Sequence, residues 1–119
     1  MTNVTDEILS EMTKAIVDTV SPERVVLFGS RVDRETSAET DVDLLVVTNR
    51  RYQDNRSRWS EISKIRSALH GYRVPKDILL YSADEIARLR GEPEHVVTRS
   101  LAGGRTLYDR RRGNTQVSP

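Results

Sequence analysis

Apolar residues near the N-terminus recur at the spacing of an amphipathic helix. The residues that would share its buried face are Ile8, Leu9, Met12, Ile16, Val17 and Val20. Thr5 or Asn3 can cap its start, and Pro22 ends it because proline disfavours helical geometry in the preceding residue. A second helix, stopped by Gly71, is predicted from a later set of residues on one face: Trp59, Ile62, Ile65, Arg66 and Leu69.

Short apolar runs rich in β-branched residues predict three buried strands, at positions 25–28, 42–47 and 77–81. Ser82 and Glu85 form the capping-box pattern that starts a short third helix. One or two further helical turns are expected at 95–101, followed by a short edge strand at 105–108. This order of elements predicts an α/β (α+β) fold with a small sheet flanked by helices.

The length of the chain fits a single domain. At 119 residues there is little room for a second lobe, so we assign positions 1–108 to one domain. Positions 109–119 are charged and hold one apolar residue, Val117, and we expect them to form a disordered tail.

Composition and charge narrow the possible functions. With 19 basic and 18 acidic side chains the net charge is only +1, which argues against strong direct binding to nucleic acid. Cysteine is absent, so disulfides and thiol chemistry are excluded. The chain has neither an apolar run of 18 residues nor a signal-peptide pattern, and we expect a cytoplasmic protein without a membrane span.

Two aspartates open the second predicted strand. Asp41 and Asp43 project from the same face because side chains alternate along a strand, with backbone positions roughly 7 Å apart. In an isolated Asp-x-Asp both residues are usually solvated. Here Leu45 and Val47 share the face of Asp43, and a carboxylate on an apolar face is costly unless a cation pairs with it. Magnesium is such a cation, because it prefers oxygen ligands and takes one or two carboxylates together with substrate phosphates.

Two further features could join this pair. Gly29 and Ser30 directly follow the first strand, where a glycine lets the backbone approach a ligand and a serine hydroxyl can bind phosphate oxygens. Asp77 opens the third strand and would reach the first two aspartates if that strand lies beside the second. The alternative for Asp77 is a solvated residue at a strand entrance.

The spacing of these residues resembles a known family. Gly29-Ser30, ten intervening residues and then Asp41-x-Asp43 match the signature of the polymerase-β-like nucleotidyltransferase superfamily, and Asp77 stands where that family keeps its third carboxylate. The flanking runs at 25–28 and 44–47 match as well, and the similarity covers about residues 5 to 108. In size the chain resembles the minimal nucleotidyltransferase (MNT) domains, many of which are antitoxins encoded beside a HEPN-domain ribonuclease toxin.

The resemblance implies a small mixed sheet and a specific chemistry. Gly29, Ser30 and Arg31 are expected to bind the nucleotide, which would be ATP. Asp41, Asp43 and Asp77 are expected to be catalytic and to hold two Mg²⁺ ions for an in-line displacement. The implied partner is a HEPN toxin, modified with AMP on a tyrosine. Two alternatives stay open: an antitoxin that acts by binding alone, and a nucleotidyltransferase that modifies a small molecule.

Other residues carry weaker signals. His70 and His95 are expected to act as helix caps or to lie at the surface. Trp59 predicts either a core position or a surface for a partner, because its ring carries a large apolar area. A run of arginines predicts a solvated face that could instead meet an acidic partner or phosphates: Arg50, Arg51, Arg56 and Arg58.

Overall fold

The computed structural model describes residues 6–29, 42–50, 52, 54–112 and 114–115. The helices are α1 (Asp6–Val20), α2 (Asn55–Ala68), α3 (Ala83–Leu89) and α4 (Val96–Gly103). The strands are β1 (Arg24–Phe28), β2 (Val42–Thr48), β3 (Lys76–Ser82), β4 (Arg105–Asp109) and β5 (Asn114–Thr115). The predicted α+β fold with a small mixed sheet is therefore confirmed.

The five strands form one sheet in the order β3-β2-β1-β4-β5. β1 pairs antiparallel with both β2 and β4, whereas β2 and β3 are parallel. β4 was expected at an edge, but it lies between β1 and the two-residue strand β5. The segment 109–119, expected to be a disordered tail, contributes a 3₁₀ turn, Arg110–Arg112, and β5 among its described residues. A domain boundary at 108 stays a prediction.

Each face of the sheet carries its own layer of helices. α1 and α2 cover one face, where Leu27, Leu44 and Leu80 are almost completely buried. α3 and α4 lie on the other face, and Leu45 and Val47 of β2 are buried there. Because side chains alternate along β2, consecutive apolar residues supply both layers, which explains why this strand is nearly continuously apolar.

The helix ends follow local capping rules. Ser82 and Glu85 form the predicted capping box at the start of α3. The His95 side chain caps α4 by accepting a hydrogen bond from the backbone of Val97 at 3.1 Å, as expected for a capping histidine. α2 ends at Ala68, and its C-cap, Leu69, lies two residues before the predicted stop at Gly71. No helix in the described part of the chain is long and apolar enough to cross a membrane.

Candidate active site

Asp43 and Asp77 occupy adjacent positions on the two parallel strands. They are direct register partners in the β2–β3 ladder, so their backbones are about 4.8 Å apart. Both carboxylates project toward the face covered by α3 and α4, because alternation places them with Leu45 and Leu79. Asp43 is half-buried and Asp77 is exposed.

The register that brings the two aspartates together is fixed at the start of both strands. The backbone N–H of Val42 donates a hydrogen bond to the carbonyl oxygen of Pro75 at 2.9 Å, one position before the ladder begins. From there the register runs without interruption to Thr48 and Ser82. A one-residue slip would move Asp77 to the opposite face and bury it against α2. The hydrophobic pattern of β3 therefore also determines where its carboxylate lies.

Gly29 directly follows β1 and lies beside Asp43 of the neighbouring strand β2. Phe28 is the register partner of Asp43, and Gly29 follows with φ of +83°, a left-handed conformation that favours glycine. A Cβ atom at Gly29 would lie 3.2 Å from Cγ of Asp43 and closer still to its Oδ2. The carboxylate of Asp43 therefore occupies the space that a side chain at position 29 would need.

The other predicted site residues lie outside the described part of the chain. Ser30, Arg31 and Asp41 belong to the undescribed range 30–41. Within the described residues, no cluster of three or more histidines, aspartates and glutamates could hold a metal ion. Asp43 and Asp77 are thus the two predicted carboxylates that can be placed next to each other.

The chemistry of this pair fits a hard divalent cation. Both side chains present only oxygen donors, and they lie on one face of the sheet at neighbouring register positions. Like charges at such a separation raise each other's electrostatic energy unless a cation lies between them. The pair can therefore contribute two ligands to a magnesium ion.

A partly buried ion pair stabilises the end of β3 that lies away from Asp77. Arg58 of α2 donates hydrogen bonds to both carboxylate oxygens of Glu85 and to the carbonyl oxygen of Leu80. Its guanidinium also lies 4.9 Å from the ring centre of Tyr52 and 5.4 Å from that of Tyr81. The expectation that Arg58 belongs to a solvated face was therefore wrong, since its side chain is only 21% exposed.

This environment shifts the pKa of Glu85. Burial alone raises the pKa of its carboxyl, but the hydrogen bonds from Arg58 and from the backbone of Ser82 outweigh burial and lower it below the ordinary value. Glu85 thus stays ionised and links α2, β3 and α3. The consequence is a β3 strand anchored at the end opposite Asp77.

Trp59 contributes an exposed apolar surface near the same strand. Its side chain is 64% exposed, so it is not a core residue and the prediction of a partner surface stays open. It borders a cleft of about 510 Å³ whose other wall is β3, from Ile78 to Tyr81. The helical spacing of Trp59 with Ile62 did not predict that Trp59 is exposed, because Trp59 lies at the rim of the buried face of α2.

The comparison with known families identifies the class of protein. The profile of the family "Polymerase beta, Nucleotidyltransferase" matches residues 11–112, which is most of the chain. The chain therefore belongs to the polymerase-β nucleotidyltransferase family. None of the curated proteins matches it.

Solved structures share the fold at low sequence identity. A candidate nucleotidyltransferase from Sulfolobus solfataricus is 17% identical with a TM-score of 0.61, over 93% of this chain and 86% of its own. A mutant of the toxin–antitoxin pair MntA–HpeT is 20% identical with a TM-score of 0.52, over 88% of this chain and 73% of its own. A tri-AMPylated Shewanella oneidensis HEPN toxin in complex with its MNT antitoxin gives 20% identity and a TM-score of 0.51, over 91% of this chain and 76% of the matched chain.

Proposed function

We propose that this protein transfers AMP from ATP to a hydroxyl of a partner protein, and that it acts as the antitoxin of a HEPN-type ribonuclease toxin. The observation that carries the proposal is the in-register pair Asp43 and Asp77, with Gly29 packed against the carboxylate of Asp43. Family membership supports the transferase, since nucleotidyltransferases act on a nucleoside triphosphate.

Each site residue has a defined role in this proposal. Asp41, Asp43 and Asp77 are the catalytic carboxylates and the ligands of two Mg²⁺ ions. Gly29, Ser30 and Arg31 bind the nucleotide, with the glycine giving room for phosphates at the end of β1. Bound magnesium would neutralise charge on the triphosphate and make the acceptor hydroxyl more acidic.

The reaction is a displacement at the α-phosphorus of ATP. The acceptor oxygen forms a bond to that phosphorus, the bond to the β-phosphate oxygen breaks, and pyrophosphate leaves. Asp77 accepts the proton of the acceptor hydroxyl, because it is the exposed member of the pair and is accessible from solvent. Asp43 is half-buried, and its carboxylate fills the space beside Gly29.

The choice of a protein acceptor rests on two observations. Two of the solved structures that share the fold are toxin–antitoxin proteins, one of them with a tri-AMPylated HEPN toxin. In addition, the exposed Trp59 borders a cleft along β3, the strand whose second residue is Asp77, and exposed aromatic rings are frequent anchors of protein interfaces.

The test is intact mass spectrometry of the product of the adjacent gene. That protein is incubated with this one, ATP and magnesium, and we expect its mass to rise in steps of one AMP unit. Asp43→Asn should abolish the increase while the protein stays folded, because the substitution removes a charge and hardly changes shape. Asp18→Asn, on the exposed side of α1 at the opposite face of the sheet, is the matched control and should transfer normally.

The alternatives give different results in the same experiment. Full transfer by a folded Asp43→Asn variant would refute the assignment of this carboxylate. An unmodified partner that nevertheless forms a tight complex would indicate an antitoxin that acts by binding alone. If neither modification nor complex formation occurs, an acceptor among small molecules becomes the better hypothesis.

A further inference from the structure

A second cleft opens beside Gly29, on the face of the sheet that carries the carboxylates. Its volume is about 350 Å³. Its described walls are the end of β1 and one side of α4, formed by Phe28, Gly29, Val96, Arg99, Ser100 and Gly103. Phe28 belongs to the apolar cluster under α3 and α4, which places the cleft on the same face as Asp43.

The position of α4 relative to β1 is fixed by close backbone packing. Gly104 follows the helix, and a Cβ atom there would lie 2.6 Å from Cγ1 of Val26 and 2.9 Å from the carbonyl oxygen of Leu27. Val97, on the inner side of α4, is completely buried. The wall that carries Arg99 is therefore held firmly against the strand that ends in Gly29.

The cleft and the carboxylates share Gly29 as their common boundary. Asp77, Asp43 and Phe28 are consecutive partners across three strands, each about 4.8 Å from the next. Gly29 contacts the carboxylate of Asp43 on one side and lines the cleft on the other. A ligand whose reacting atom lies at Asp43 can therefore extend past Gly29 into the cleft.

The charge of the cleft suits the extended part of such a ligand. Arg99 is exposed, and no acidic side chain in the described part of the chain pairs with it. The other lining residues are uncharged. The hydroxyl of Ser100 already donates to the carbonyl oxygen of Val96 at 2.7 Å, which leaves Arg99 as the charged group of this wall.

We infer that Arg99 binds the β- and γ-phosphates of the incoming nucleoside triphosphate. The inference rests on the proposed function, which places the α-phosphorus at the carboxylates and leaves the anionic part of the ligand to pass Gly29. A guanidinium suits this role because it offers paired N–H donors in the geometry of phosphate oxygens. Arg99 lies 70 positions after Gly29 and outside the motif that defines the nucleotide-binding loop.

The experiment compares ATP and AMP as ligands, by calorimetric titration in the presence of magnesium. Arg99→Ala should weaken ATP binding about tenfold, since a charge-assisted hydrogen bond at an exposed site is worth about that factor. AMP has no β- or γ-phosphate, so its affinity should be unchanged. Arg99→Lys should recover part of the loss, and Arg90→Ala, which removes an equally exposed charge outside the cleft, should bind ATP as the wild type does.

Failure of this inference is distinguishable from failure of the proposed function. Equal ATP affinity of the wild type and Arg99→Ala would overturn the role of Arg99 while leaving transfer by the Asp43 site intact. An equal loss for ATP and AMP would overturn it too, because the contact would then be to the nucleoside or to the fold. A wild type that transfers nothing and binds no ATP would remove the proposed function and this inference together.

Discussion

Gly29→Ala tests whether the backbone at the end of β1 and the carboxylate of Asp43 depend on each other. Two costs are expected. The left-handed conformation at φ +83° costs an L-residue roughly 1–2 kcal/mol. The new Cβ would also overlap the Asp43 carboxylate, which must rotate away from its preferred rotamer at about 0.5–1.5 kcal/mol.

The assay is a double-mutant cycle measured by urea denaturation. Gly29→Ala alone should lower the free energy of unfolding by about 1.5–3.5 kcal/mol, which is the sum of the two costs. In an Asp43→Ala background only the backbone cost remains, so the loss should fall to about 1–2 kcal/mol. Gly71→Ala serves as control, because its Cβ would meet nothing within 4 Å and its stability should be unchanged or slightly raised.

The cycle also separates stability from function. Because the carboxylate is displaced, Gly29→Ala should lose nearly all AMP transfer even under conditions where the protein is folded. A coupling free energy of zero between positions 29 and 43 would refute the packing described here. Normal transfer by folded Gly29→Ala would show that the position of the carboxylate does not matter for the reaction.

Three further predictions concern other parts of the fold. Gly104→Ala should destabilise the protein by about 1–3 kcal/mol in urea denaturation, because its Cβ would overlap the backbone carbonyl of Leu27, which cannot rotate away. Glu85→Gln should cost about 1 kcal/mol at pH 7 through loss of the ion pair with Arg58. Trp59→Ala should leave the melting temperature unchanged and weaken binding to the partner protein in calorimetry, because the ring is mostly exposed.

The prediction for Glu85 includes a pH dependence with a definite sign. Its folded-state pKa is lowered, so the carboxylate contributes stability above its unfolded pKa and loses it as the pH falls through the folded value. The difference between wild type and Glu85→Gln should therefore vanish in acid. A stability difference between wild type and Glu85→Gln that does not depend on pH would contradict the ion pair. A Gly104→Ala variant as stable as the wild type would contradict the close packing of α4. Unchanged affinity of Trp59→Ala for the partner would exclude Trp59 from the interface.

Much of the fold could be predicted from the sequence because its elements carry strong local signals. The helical spacing from Ile8 to Val20 and the apolar run of β2 are each sufficient to identify an element. These local sequence patterns do not predict the burial of a side chain when it depends on contacts between residues that are far apart in the sequence. Arg58 has the spacing of a solvated residue, yet Glu85, 27 positions away, draws it into a partly buried ion pair.

The candidate site could be predicted only to the extent that it lies in one local motif. Gly29 and Asp43 were identified because a glycine at a strand end and a carboxylate in an apolar strand are both unusual locally. Placing Asp77 beside them required knowing that β3 is parallel to β2 and in which register, and alternation alone leaves both open. The resemblance to a family supplied that information before the geometry did.

Arg99 shows why a site can extend beyond any motif. Nothing in the sequence around α4 distinguishes this arginine from the others, because an exposed cation on a helix usually has no specific function. The role proposed for Arg99 depends on Gly104, which lets α4 pack directly on β1. It also depends on Gly29, which lies between the Asp43 carboxylate and the cleft. The two glycines thus place the cleft that Arg99 lines beside Asp43. We therefore expect the loss of either to impair ATP binding more than the loss of a solvent-exposed glycine such as Gly71.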